Sequence, residues 1–241
     1  MLIQGLQKLT LLDYPEKVAC TVFTGGCNFR CPFCHNASLV IDRGNIQPIV
    51  SRKNGQYTEE EILEFLKKRK GVLDGVCITG GEPLLQKDLE GFISKIKELG
   101  LLVKLDTNGS FPERLKDLAG KGLLDYVAMD IKNSRKRYGR TIGIEGYDTA
   151  PVEESVSFLM EGSLPYEFRT TVVEEFHDEE AMLAIGEWIA GAENYYLQQF
   201  VDSGDVIRSG LHACKTEDLA RWREMLRPFV GQVSVRGVDI A

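Results

Sequence analysis

Short apolar runs alternate along the chain with longer stretches of helical periodicity. The runs cover residues 18–24, 75–79, 101–105, 126–130, 168–173 and 195–201. Near-continuous apolar runs of this length read as strands covered on both faces, as in parallel sheets. Between them, Thr58-Glu-Glu-Glu61 has capping-box form, with Ile62, Phe65 and Leu66 following at helical spacing. Leu89, Phe92, Ile93, Ile96 and Leu99 form a clear apolar stripe that Gly100 ends. Further stripes are Val152, Val156 and Leu159; Met182, Ile185 and Ile189; and Leu219, Trp222 and Leu226, stopped by Pro228. Gln232-Val-Ser-Val235 reads as a terminal strand, while residues 36–57 (with Pro48 and Asn54-Gly55) and 132–146 read as loops. The pattern predicts a single α/β domain over 1–241, built from roughly six strand–helix units with right-handed parallel crossovers. It leaves open a doubly wound sheet or a full or partial barrel. In both, ligands bind at the C-terminal ends of the strands.

Composition adds limits. The chain has 241 residues, with 29 Lys+Arg against 36 Asp+Glu, a net charge of −7, 43% hydrophobic and 27% charged residues. These values exclude disordered, collagen-like and coiled-coil classes. The opening MLIQGLQKLTLLDYP lacks the basic start and apolar core of a signal peptide, and no apolar run approaches the ~18 residues of a membrane span. The expectation is a cytoplasmic protein in a reducing setting, with no membrane partner. Net acidity gives no support to nucleic-acid binding.

Cysteine changes the picture more. Of six, three crowd into one loop after the first strand, as Cys27-x3-Cys31-x2-Cys34. Such spacing gathers thiols around one ion or cluster rather than pairing them at a distance. A structural zinc site wants four ligands; His35 could be the fourth, but it adjoins Cys34 awkwardly, and no later Cys-x2-Cys pair completes a zinc ribbon. Three thiolates on one short loop suggest instead a four-iron cluster with one iron left open. A zinc knuckle or a plain electron-carrier cluster is the blander alternative. Cys20 and Cys77 fall in predicted strands and read as core thiols, and Cys214 as a lone thiol.

Cys-x3-Cys-x2-Cys with Phe33 before the last cysteine resembles the radical S-adenosylmethionine superfamily. The resemblance runs through Gly80-Gly81-Glu82-Pro83, Asp106-Thr-Asn-Gly109, Asp130-Ile-Lys132, Arg169 and Gln198-Gln-Phe200, each at or near a strand end. The lead-in Leu9-Thr-Leu-Leu-Asp-Tyr-Pro15 narrows it to the longer form of the anaerobic ribonucleoside-triphosphate reductase activating proteins, close relatives of the pyruvate formate-lyase activating enzymes. The resemblance implies a partial (β/α)6 barrel. It also implies a [4Fe–4S] cluster on Cys27, Cys31 and Cys34 whose fourth iron binds S-adenosylmethionine. Reduction would then release a 5′-deoxyadenosyl radical.

By the same resemblance, Gly80 and Gly81 let the backbone approach that ligand and Glu82 accepts from its ammonium group. Phe33 lies beside adenine, and His35 joins the cofactor-binding set. Asp130 and Lys132 serve the ribose and methionine ends, Asp106 and Thr107 lie near the same site, and Arg169 takes the carboxylate. The alternatives are a plain strand-to-helix turn for the glycines, core packing for Phe33, and structural ion pairs for Asp130–Lys132 and Arg169. Pyruvate formate-lyase activators follow the sixth strand with a histidine; here the segment reads Gln198-Gln199-Phe200-Val201. His177 and His212 read as surface or capping residues. Five basic residues between 132 and 140 could dock an acidic or nucleotide-bearing partner, or be solvated loop charge. The implied partner is a glycyl radical enzyme. With no second cluster motif, the electron comes from outside, for example from flavodoxin or ferredoxin. A small-molecule substrate, as in 7-carboxy-7-deazaguanine synthases, is the competing reading.

Overall fold

The computed structural model describes residues 1–40, 57–162 and 164–240. The turn signals at Pro48 and Asn54-Gly55 lie outside these. The strands are β1 (Ile3–Thr10), β2 (Ala19–Thr24), β3 (Gly75–Gly80), β4 (Leu102–Thr107), β5 (Tyr126–Asp130), β6 (Tyr166–Val172), β7 (Asn194–Gln199) and β8 (Gln232–Arg236). The helices are α1 (Ala37–Val40), α2 (Glu59–Lys68), α3 (Leu89–Glu98), α4 (Pro112–Gly120), α5 (Tyr138–Ile142), α6 (Ala150–Glu161), α7 (Glu179–Trp188) and α8 (Thr216–Leu226).

The eight strands form one sheet in chain order, β1 to β8. β1 and β2 are antiparallel, while the pairs β2–β3, β3–β4, β6–β7 and β7–β8 are parallel. A doubly wound sheet reverses its strand order at a switch point. This order has no reversal, so the mixed α/β fold follows the order of a barrel-type sheet. Six strands, β2 to β7, each lead into helix before the next strand, and β8 follows the last helix.

β1 is an element that the hydrophobic pattern did not announce. Its sequence IQGLQKLT lacks clean alternation, and only its two end residues are buried. It is held by the antiparallel pairing to β2, in a register interrupted by two irregularities.

The chain divides into two compact units. The first comprises Met1–Asn28, Ser38–Thr107 and Glu113–Val127; the second Phe29–Ala37, Asn108–Pro112 and Ala128–Ala241. In the first, Val22, Val76, Ile78, Val103 and Leu105 of the strands are buried together with Ile62, Leu66, Phe92, Ile93 and Ile96 of α2 and α3. The capping box of α2 is present. Thr58 Oγ1 accepts from the Glu61 N–H at 3.1 Å, and Glu61 Oε2 accepts from the Thr58 N–H at 2.7 Å. Gly100, at φ +81°, ends α3 as its residue type requires.

In the second unit, Phe168, Tyr195 and Leu197 of the strands are buried, as are Met182, Ile185, Leu219, Trp222 and Leu226 of the helices. The expectation of a loop over 132–146 is corrected here. A 3-10 turn spans Arg135–Arg137 and α5 follows, closed by Gly143 at φ +72°. The charged residues obscured two apolar anchors: Tyr138 and Ile142 are fully buried, and the Tyr138 ring lies near those of Phe29, Tyr147 and Trp188.

A Thr58→Ala substitution should lower unfolding stability by about 1 kcal/mol, through loss of the cap alone. Urea denaturation checks it; an unchanged midpoint would mean that the box contributes nothing to α2.

Candidate functional site

In the first unit the chain leaves β2 through Gly25 and Gly26 into Cys27. Two backbone bonds tie this exit to the turn after β3: the Gly81 N–H donates to Thr24 O, and the Glu82 N–H to Gly26 O, both at 2.8 Å. The approach excludes side chains. A Cβ on Gly81 would lie 1.9 Å from Gly26 O. Gly80 has φ +115°, and a Cβ there would lie 2.4 Å from Thr24 N and O. Glu82 is fully buried. Its Oε1 accepts from the Leu84 N–H at 3.0 Å and from the Thr107 hydroxyl at 2.9 Å, which links the turn to the end of β4. Asp106 forms an ion pair with the buried Lys104 ammonium. The Cys77 sulfur lies 3.7 Å from Asp106 Oδ1 and 3.9 Å from Lys104 Nζ.

In the second unit Asp130 ends β5 and holds two cations. Lys132 Nζ donates to Oδ2 at 2.9 Å, and Arg169 Nε to Oδ1 at 3.0 Å. The ion pairs weighed for these residues are thus present. Burial opposes the Lys132 charge, but Asp130 and Cys31 more than offset it and hold its pKa above the ordinary lysine value.

His177 is not at the surface, as its sequence position suggested, but buried at 4% exposure. Its Nδ1 accepts from the Val173 N–H at 3.1 Å, and its Nε2 lies 2.9 Å from Lys132 O. That pairing calls for a neutral ring with the proton on Nε2, and burial lowers its pKa accordingly. The apolar neighbours Val172, Val173 and Phe176 were the available sign of this burial. Next to Lys132, Asn133 is fully buried and donates to Thr141 Oγ1 at 2.8 Å and Phe176 O at 2.9 Å.

Phe33 packs near the rings of Phe176 and His177, with centroids 5.6 and 6.4 Å away. His35 lies 5.3 Å from the Phe200 ring, and burial, then Lys132, lowers its pKa. His212 is exposed and paired with Glu175, as expected of a surface residue.

None of the six cysteines is disulfide-bonded. Cys20 and Cys214 are buried and their thiols are pushed up to about 12, chiefly by burial, so they are inert core groups. Cys77 is buried between strands. The loop cysteines run from the first unit (Cys27) into the second (Cys31 and Cys34). Among the described residues no three His, Cys, Asp or Glu side chains gather closely enough to hold one metal ion. A four-iron cluster spreads its ligands over several irons. The donor set, three thiols on one short loop leaving a side-chain-free backbone cradle, fits such a cluster.

Comparison with known proteins agrees. The model of the Radical SAM superfamily matches residues 21–185. The chain therefore belongs to the radical S-adenosylmethionine superfamily, whose enzymes use a [4Fe–4S] cluster and S-adenosylmethionine. A protein of Methanocaldococcus jannaschii provisionally named glycyl-radical enzyme activating enzyme MJ1227 is 30% identical over 99% of this chain and 97% of its own. A domain of a Bacteroides vulgatus pyruvate-formate lyase-activating enzyme has a similar fold, with TM-score 0.56 and 17% identity over 68% of this chain and 99% of that one. Streptococcus suis SuiB bound to S-adenosylmethionine gives TM-score 0.66 and 14% identity over 88% of this chain and 48% of that one. No helix among the described residues is long and apolar enough to cross a membrane.

Two glycine substitutions separate the cradle from an unhindered helix position. Gly81→Ala should cost about 1–3 kcal/mol, since backbone must move to admit the Cβ. Gly91→Ala in α3, where the Cβ meets nothing within 4 Å, should gain up to about 1 kcal/mol. Thermal unfolding of both checks this; equal effects would remove the cradle argument.

Proposed function

We propose that this protein is a glycyl-radical-enzyme activase, with an anaerobic ribonucleoside-triphosphate reductase as its partner. The observation that carries the reading is the end-to-end match to MJ1227, across 99% of this chain and 97% of that one, together with Cys27, Cys31 and Cys34 in superfamily spacing. In this reading those three thiolates hold the cluster. When bound, the cluster and S-adenosylmethionine together supply a 5′-deoxyadenosyl radical able to take a hydrogen atom from a glycine of the partner.

The chain's own residues bind and orient. Gly80 and Gly81 let the turn after β3 close on the exit of β2, where a side chain would strike backbone, and Glu82 is the residue assigned to the ligand's ammonium group. Lys132 and Arg169 bring two cations to one place, suited to a carboxylate, while Asp130 between them can accept from ribose hydroxyls. His177, through Lys132 O, fixes where the Lys132 backbone lies. Phe33 and His35 would flank the adenine. Asp106 and Thr107 are assigned to the same ligand, with Lys104 holding the charge of Asp106. The electron comes from flavodoxin or ferredoxin, in a reducing cytoplasm that keeps the thiols available.

Anaerobic incubation with a candidate reductase, S-adenosylmethionine and reductant should produce a glycyl radical detectable by electron paramagnetic resonance, and Cys31→Ala should abolish it. No radical with several such reductases, but fast 5′-deoxyadenosine formation with a small substrate alone, would transfer the reading to a small-molecule enzyme.

A further inference from the structure

The chain carries a net charge of −7, yet residues 132–140 hold five cations: Lys132, Arg135, Lys136, Arg137 and Arg140. Three are engaged within the fold. Lys132 serves Asp130, and Arg135 pairs with Glu153 at 2.8 Å while lying over the Trp188 ring. Arg137 spans Asp178 and Glu180 at 2.6 and 2.7 Å. Lys136 and Arg140 are exposed, and Arg140 donates only to a backbone carbonyl, Glu175 O, at 3.4 Å.

Arg140 is connected to the cysteine loop. Its guanidinium lies 5.8 Å from the centroid of Phe176, whose ring packs on Phe33 between Cys31 and Cys34. Two residues beyond Arg140, Ile142 O accepts from the Arg30 N–H at 2.9 Å, and a Cβ on Gly143 would lie 2.5 Å from Arg30 O. A different segment brings a further cation: the N–H of exposed Arg208 donates to Pro32 O at 2.9 Å. Two segments remote in sequence thus attach directly to residues 30–33, and both present arginine. Most neighbouring carboxylates have other tasks, while exposed Glu174 adds to the local negative charge. Glu175 accepts from His212, and Asp178 and Glu180 hold Arg137. Asp202 and Asp205, on the loop that carries Arg208, form an acidic margin.

We infer that Lys136, Arg140 and Arg208 form a docking face for an acidic one-electron carrier protein. The inference rests on the activase reading, because only a cluster on this loop needs an electron delivered there. The remaining cysteines, Cys20, Cys77 and Cys214, are buried apart from the motif and give no second cluster to relay it. The carrier gives up one electron and the cluster gains one, with no bond made or broken. Since this chain is itself acidic, long-range attraction is weak and a local basic face must orient the encounter.

The test is stopped-flow reduction of the reconstituted protein by photoreduced flavodoxin at low salt, with dithionite reduction and titration calorimetry against oxidised flavodoxin in parallel. The combined Lys136→Glu, Arg140→Glu and Arg208→Glu variant should lose about tenfold or more in the flavodoxin rate constant. It should also bind flavodoxin more weakly, be less sensitive to salt, and be reduced by dithionite as the parent is. Arg140→Gln with Arg208→Gln should show a smaller loss in the same direction, which keeps the test available should the triple variant misfold. An unchanged flavodoxin rate and affinity would make these residues ordinary solvated charge and overturn the docking face. Failure of dithionite to reduce any cluster in the parent protein would overturn the activase reading, and the docking face with it.

Discussion

A contact made without side chains sets the start of the cysteine loop. Gly81 lies against the carbonyl of Gly26 so closely that the carbon of a single methyl group would sit 1.9 Å from the oxygen. The adjacent bonds, Gly81 N–H to Thr24 O and Glu82 N–H to Gly26 O, lock the exit of β2 to the exit of β3. Glu82 extends the lock to β4 through the Thr107 hydroxyl. Three strand ends thereby fix where the chain stands when it reaches Cys27. A loop that must hold a cluster needs this, since ligand groups misplaced by about an ångström lose their function.

The second unit solves a different problem, the placement of charge. Asp130 receives Lys132 on one oxygen and Arg169 on the other. Partly buried ion pairs are weak evidence for stability, because desolvation offsets much of the attraction. In the proposed function their value lies in keeping three charged groups at hand for a polar ligand. The support beneath is uncharged: neutral His177 joins Lys132 O to the Val173 N–H through its two ring nitrogens, and the amide of Asn133 donates to Phe176 O. A protonated His177 could not accept from the Val173 N–H, so its lowered pKa preserves the clamp.

Much of this was legible in the sequence. Parallel strands on both sides of amphipathic helices repeat apolar runs of a single period, so β2 to β8 could be located from hydrophobicity. The Thr58 capping box and Gly100 are local signals with local causes, and they sit where they were read. The barrel-type strand order was not contained in the pattern, because crossovers of the same length serve both kinds of sheet. β1 was illegible because an edge strand takes its conformation from its partner. The segment 132–146 misled for a related reason: basic residues dominated its composition, while buried Asn133, Tyr138, Thr141 and Ile142 determine its structure. His177 shows the same limit. Its apolar neighbours hint at burial, but the hydrogen-bond partner that settles it, Lys132 O, lies far away in the sequence.

The central claim is that Cys27, Cys31 and Cys34 hold a four-iron cluster with one iron open to S-adenosylmethionine. The most direct measurement is electron–nuclear double resonance on the anaerobically reconstituted, reduced protein with S-adenosylmethionine labelled at its amino nitrogen and carboxylate oxygen. The account predicts about four irons per chain and hyperfine coupling from both labels to the cluster. A colourless, zinc-bearing protein, or a reduced cluster that shows no coupling to either label, would contradict it.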